Sequence, residues 1–136
     1  MAIAIDLSCT LALLFPDYRS ETIAQVILTE SAIVPVVWPF ELGTLLLKAE
    51  KQGRISRLFR LQTLADLSLL PIRIDSASRN HAWDTTSALA DEYGLTLNQA
   101  SYLELALRED LLFATFDTEL ERAAKLAGIA IFQHAR

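Results

Sequence analysis

The chain has little of what would mark a secreted, membrane-spanning or nucleic-acid-coating protein. Its single cysteine, Cys9, excludes an internal disulfide and fits a reducing cytoplasm. No histidine lies near it in sequence, so Cys9 reads as a small buried residue and not as a nucleophile. No uninterrupted apolar run reaches the roughly 20 residues that a membrane helix needs. The N-terminus MAIAID lacks the basic flank and small-residue cleavage site of a signal peptide and is expected to be mature structure. Positive charge is also scarce: 12 Lys and Arg stand against 17 Asp and Glu, for a formal net charge of −5. Phosphate contacts need clustered cations, so binding nucleic acid through bulk charge is disfavoured. An acidic catalytic site is not excluded by that balance, and neither is a basic partner segment. No repeat, low-complexity tract or linker interrupts the chain.

What is present is a core. With 136 residues, 52% hydrophobic and 21% charged, the chain suits one domain (residues 1–136) and is too apolar for disorder. Ala2–Ile5 is a strand-length apolar run ending at Asp6, and Ser8 can cap a helix over Thr10–Phe15 that Pro16-Asp17 breaks. Ser20–Thr29 reads as a second helix and Ala32–Val37 as a strand, where Pro35 implies an edge or a strand ending. Pro39 suits the first turn of a helix over Phe40–Gln52 that packs Leu42, Leu45, Leu46 and Ala49 inward and stops at Gly53. Ser56 opens a helix whose apolar face would be Leu58, Phe59, Leu61, Leu64 and Ala65. Leu69–Ile74 is a strand candidate weakened by Pro71. Ser78–Tyr93 reads as one helix with Ala82, Leu89 and Ala90 in the core, closed by Gly94. The Thr96–Glu109 helix, the Leu111–Thr115 strand, the Thr118–Ala127 helix and an Ile129–Phe132 strand complete the series. Short strands alternating with helices predict an α/β fold: a parallel sheet of four to five strands covered on both faces. Ligands in such folds gather beyond the carboxyl ends of the strands.

Asp6 and Asp117 both stand at such ends. A carboxylate at a buried edge is costly unless something compensates it, and a cation can. A helix cap explains either aspartate as well, and the two roles are compatible. Glu41 is the only charge between Glu30 and Lys48; it either favours the dipole of its helix from the first turn or binds metal and orients a water. Thr115 adds a hydroxyl on the same side of its strand as Asp117. Carboxylates from three separate elements suit Mg²⁺ or Mn²⁺, which take oxygen ligands and keep several waters. No His/Cys set supports zinc, since His81 and His134 stand alone and read as surface residues.

In order along the chain, MAIAIDLS, WPFELGTLL, GLTLNQASYLELAL, LLFATFDTEL and AGIAIF resemble a PIN domain of the kind found in VapC-like toxins of bacterial toxin–antitoxin pairs. The likeness spans nearly the whole sequence. It implies a Rossmann-like sheet, Mg²⁺- or Mn²⁺-dependent RNA cleavage in the cytoplasm, a homodimer, and inhibition by a small antitoxin protein. Asp6, Glu41 and Asp117 match three of the family's four acids, and Ser8 and Thr115 match its accessory hydroxyl positions. The fourth acid's place, within a Tyr-Asp-Ala triplet, is taken by Gln99 in Asn98-Gln99-Ala100. Thr44 stands where the family often has an asparagine.

Thr96-x-x-Gln99 fits a capping box, so Gln99 keeps the structural part of that position. Against a cation, losing one ligand charge while a neutral carbonyl ligand survives weakens binding by about 2–3 kcal/mol, roughly 30- to 150-fold. Two readings follow: a weakened ribonuclease, or an inactive PIN module that works through antitoxin or RNA binding. A phosphotransfer domain of receiver or haloacid-dehalogenase type also uses strand-end aspartates, but no Asp-x-Asp pair follows the first strand and no suitably placed lysine follows a late one. Lys48, Lys51, Arg54, Arg57 and Arg60 recur every three residues across Gly53 and read either as a solvated helix face or as contacts to RNA phosphates. Leu58, Phe59 and Trp83 read as core, or else as a dimer or antitoxin surface.

Overall fold

The computed structural model describes residues 2–133; His134 therefore lies outside the described residues. Four parallel strands, β1 (Ile3–Ile5), β2 (Ala32–Pro35), β3 (Ile72–Asp75) and β4 (Phe113–Ala114), lie in the order β3-β2-β1-β4. Seven α-helices are described between and after them: α1 (Leu7–Leu14), α2 (Ser20–Glu30), α3 (Trp38–Lys51), α4 (Arg57–Leu67), α5 (Thr85–Tyr93), α6 (Leu97–Arg108) and α7 (Thr118–Leu126). This is the expected α/β sheet. Every residue of β1 and β2 is buried, as strands covered on both faces must be. Pro35 ends β2, opposite Asp75 of β3. The last expected strand shrinks to a single bridge between Phe113 and Ile131.

The sheet winds in two directions. From β1 the chain proceeds to β2 and β3 on one side, and β4 returns on the other side of β1. The order therefore reverses between β1 and β4, where a doubly wound sheet opens a crevice above its carboxyl ends. Asp6 directly follows β1, and Asp117 lies three residues past β4.

Helix α6 is the central helix of the core. Ala100 through Ala106 are consecutively buried, which marks a helix enclosed on all sides. Leu103 and Leu105 pack in one cluster with Ile3, Ile5, Ile33 and Phe113, each such side chain worth about 1.5–3 kcal/mol on burial.

Several local readings need correction. Asp6, not Ser8, caps α1, which starts at Leu7; Ser8 instead spends its hydroxyl on tertiary bonds described below. Ser78–Tyr93 is not one helix but a 3₁₀ turn (Ser76–His81) followed by α5, which Asp84 caps. The Ser78 hydroxyl donates to Asp75 O (2.8 Å) and accepts from Val36 N–H (2.9 Å), drawing the backbone out of the α-helical path. In α4 the inward residues are Thr63, Leu67 and, in part, Leu64; Leu58, Phe59, Leu61 and Ala65 are exposed. Phe59 still stacks on Phe15, with ring centroids 6.4 Å apart. In α3, Leu42 and Leu46 are buried as expected, but Leu45 is exposed and the unanticipated Trp38 is buried. Trp38 donates its indole N–H to Thr10 Oγ1 (2.9 Å). Leu89 is buried, whereas Ala82 and Ala90 are half-buried; Trp83 stands in solvent and His81 is half-buried.

Candidate functional site

Strand register decides what Asp6 meets. Ile5 pairs with Ala114, so the next residue on each strand, Asp6 and Thr115, is also adjacent, and the Asp6 N–H donates to Ala114 O (3.3 Å). The Asp6 carboxylate is buried. Its Oδ1 accepts from Ser8 Oγ (2.6 Å) and from the Cys9 N–H (3.2 Å), and its Oδ2 accepts from Thr115 Oγ1 (2.5 Å). Burial raises the carboxyl pKa; these three donors pull it back, and the negative charge of Asp117 adds to the rise. Cys9 is fully buried, and its thiol pKa is pushed up first by that burial and next by the Asp6 charge, which makes it inert.

The two hydroxyls also shape the loop that carries Asp117. Ser8 Oγ accepts from the Phe116 N–H (2.8 Å), and Thr115 Oγ1 accepts from the Asp117 N–H (3.0 Å). Each hydroxyl thus donates to Asp6 and accepts from the β4–α7 loop. Asp117 then caps α7, its Oδ1 accepting from the Glu119 and Leu120 N–H groups (3.0 and 3.2 Å). Its Oδ2 accepts from Gln99 Nε2 (3.3 Å).

Glu41 comes from the first turn of α3. Its Oε1 accepts from the Tyr102 hydroxyl (2.7 Å) and its Oε2 from Asn98 Nδ2 (3.4 Å). Burial, and then the Glu41 carboxylate, push the Tyr102 pKa far above the usual phenol range, so Tyr102 remains a donor. Asp6, Glu41, Gln99, Asp117, Ser8 and Tyr102 line one cavity of about 230 Å³. On its other side Glu41 borders a separate groove together with Phe40, Thr44 and Asn98. Tyr102 and Asn98 were missed in the sequence. Their signal was spacing: residues 98, 99 and 102 fall within about one turn at the start of α6.

Gln99 forms both halves of the capping box. Its N–H donates to Thr96 Oγ1 (3.1 Å), and its Oε1 accepts from the Thr96 N–H (3.0 Å). The carbonyl expected to survive as a neutral ligand is therefore turned to the backbone, and the amide NH₂ faces Asp117. Among the described residues, no three His, Cys, Asp or Glu side chains stand close enough together to hold one ion. A hard divalent cation does not require three, because Mg²⁺ is usually held by one or two carboxylates with waters completing its shell. Asp6 and Asp117 are two such groups on one cavity, mutually repulsive, and among the described residues no basic side chain lines it. That donor set fits Mg²⁺ or Mn²⁺ with the minimum of protein ligands.

The basic series lies elsewhere. Lys48, Lys51, Arg54 and Arg57 are exposed around the Gly53 turn, and none lines the acid cavity. Arg54 borders a different cavity with Phe15, Leu45 and Ile55, and Arg60 pairs with Glu50 (2.6 Å). One further cation sits against the loop that carries Asp117: the Arg19 guanidinium stacks 4.2 Å from the ring centre of Phe116 and is paired with Asp17 (2.7 Å).

The PIN domain family matches residues 3–126 of the chain. No curated protein matches it. Solved structures do. One is PAE2754 from Pyrobaculum aerophilum, 23% identical with a TM-score of 0.71, covering 96% of this chain and 88% of that one. Another is VapBC2 from Rickettsia felis bound to a DNA fragment from their promoter, 13% identical with a TM-score of 0.68, covering 97% of this chain and 98% of that one. At these identities the likeness speaks to the fold.

Proposed function

The chain belongs to the PIN domain family, and from that premise we propose that it is a nuclease, the toxin component of a toxin–antitoxin pair, that hydrolyses RNA phosphodiesters in the cytoplasm as a single PIN-like domain. The observation that carries this reading is the convergence of Asp6, Glu41 and Asp117 on one cavity above the β1/β4 switch point. Asp6 and Asp117, with Glu41 beside them, would hold Mg²⁺ or Mn²⁺. When bound, such a cation supplies a Lewis acid for charge developing on the phosphate and a more acidic water.

The remaining work falls to side chains of this chain. Ser8 and Thr115 lock the Asp6 carboxylate in one orientation by donating to both of its oxygens. Capping of α7 fixes Asp117, and Tyr102 holds Glu41 at the cavity wall, where its carboxylate can take a proton from an attacking water. Gln99 leaves the set one acid short, so the activity is weak. Lys48, Lys51, Arg54 and Arg57 would contact RNA phosphates outside the cavity. The Rickettsia felis neighbour is a VapBC complex, which supports a small antitoxin as partner here; the toxin acts as a homodimer.

The test is RNA cleavage with Mn²⁺, with and without EDTA. Wild type cleaves slowly, EDTA stops it, and Asp6→Asn or Asp117→Asn abolishes it. Cleavage that survives both substitutions refutes the site. One observation favours a second reading, an inactive module that acts through antitoxin or RNA binding: the Gln99 amide occupies an oxygen of Asp117. Complete absence of cleavage in pure protein, with antitoxin or RNA binding retained, selects that reading.

A further inference from the structure

We propose that the Gln99 carboxamide is an internal competitor for the cation at Asp117, and not simply a missing ligand. The proposal rests on the metal-site reading above and concerns how this chain's own residues regulate that site.

The orientation of the amide is determined at both ends. The Thr96 N–H donates to Gln99 Oε1 (3.0 Å), and Gln99 Nε2 donates to Asp117 Oδ2 (3.3 Å). A flipped amide would set NH₂ against N–H and oxygen against carboxylate, two repulsive contacts in place of two hydrogen bonds. On Asp117, Oδ1 is already engaged by two backbone N–H groups of α7, so Oδ2 is the oxygen left for a cation. That is the oxygen Gln99 takes.

The same turn of α6 repeats the pattern on Glu41. Asn98 donates to Oε2 and Tyr102 to Oε1. Together with Ser8, Cys9 and Thr115 on Asp6, all six carboxylate oxygens of the three acids carry a neutral protein donor. A neutral amide donor holds that oxygen far less strongly than a divalent cation would, so it lowers cation affinity without abolishing binding. The site behaves as a latch: cation entry at Asp117 displaces the Gln99 NH₂.

The competitor and the missing ligand predict opposite results for a neutral isostere. Gln99→Met removes the donor and adds no ligand; Gln99→Glu removes the donor, adds a charge and can still accept from Thr96 N–H. Mn²⁺ affinity would be measured by calorimetry and by electron paramagnetic resonance of free Mn²⁺, with Asp117→Asn as the non-binding control. A competitor makes Gln99→Met bind Mn²⁺ about 5-fold tighter than wild type and Gln99→Glu about 50-fold tighter. If Gln99→Glu binds tighter but Gln99→Met binds no tighter than wild type, the competitor is overturned while the metal-site reading stands. If no variant binds Mn²⁺, both fall. Gln99→Met loses half of the capping box, so a measurement on wild type keeps the idea exposed should that variant fail to fold. The Gln99 side-chain amide resonance should shift on adding Mg²⁺ at the same half-saturation as binding. A resonance that stays still during saturation overturns the latch.

Discussion

Both ends of α6 face clusters of carboxylates, and the two clusters are compensated by different chemistry. At the C-terminal end, Glu104 and Asp75 are buried and share one guanidinium. Arg108 Nε donates to Glu104 Oε2 (2.8 Å), Nη2 bonds both Glu104 Oε1 (3.1 Å) and Asp75 Oδ2, and Nη1 reaches Glu109 (3.1 Å). These carboxylates push the Arg108 pKa further up, Glu104 first. At the N-terminal end, Asp6, Glu41 and Asp117 are held by hydroxyls, amides and backbone N–H groups, with no cation among the described residues that line their cavity. Hydrogen bonds from neutral donors orient a carboxylate but leave its charge in place. One cluster is therefore closed by a resident cation and ties α6 to the end of β3. The other keeps an unspent negative field at the switch point of the sheet. On the function proposed above, the second is where a visiting cation would bind.

The contrast is broken most severely at Arg108. Arg108→Met leaves two buried carboxylates without their counter-ion and should destabilise the protein by about 3–5 kcal/mol, read from urea denaturation midpoints. Adding Glu104→Gln to that variant should recover part of the loss. An unchanged midpoint in the single variant would remove the distinction between the clusters. At the other end, Tyr102→Phe deletes the donor to Glu41 and should destabilise by about 1–2 kcal/mol, less because Glu41 is only half-buried. Thr96→Ala removes one half of the capping box that aims Gln99, worth about 1 kcal/mol. In the same variant the Gln99 amide should keep its orientation, because its Oε1 accepts from the backbone N–H of residue 96, and its side-chain resonance should stay in place.

The subtlest effect is a slope with pH. Asp6 has a folded-state pKa raised above its ordinary 3.8. The folded state therefore holds the proton more tightly than the unfolded chain, and ionisation of Asp6 opposes folding. That penalty is absent below pH 3.8 and grows as pH rises from there to the raised value. In EDTA, the stability of wild type relative to Asp6→Asn should fall across that window and stay level above it. A difference that is flat with pH would mean that burial of Asp6 is fully compensated by its three donors.

Local chemistry made much of the fold legible. Gly94 sits in the left-handed region (φ 66°) that ends α5, Pro39 lies in the first turn of α3, and Thr96 and Gln99 form the box that starts α6. Strand-end position alone singled out Asp6 and Asp117. Readings failed where a distant partner intervened. Ser78 reaches Val36, 42 residues away, and breaks a helix that periodicity alone would continue. Ser8 reaches Phe116 and so leaves the capping of α1 to Asp6. The face of α4 was misread because the helix buries only a narrow stripe, and its apolar residues outnumber the inward positions.

By itself the sequence determined the alternation of strands and helices, the caps, and which acids end strands, because each depends on residues within a few positions of one another. Tertiary structure alone decided what those acids meet. The β1/β4 register sets Thr115 against Asp6, and the packing of α6 brings Tyr102 to Glu41 and turns the Gln99 NH₂, not its carbonyl, toward Asp117. The direction in which a donor points depends on how two elements pack, and no local pattern carries that information.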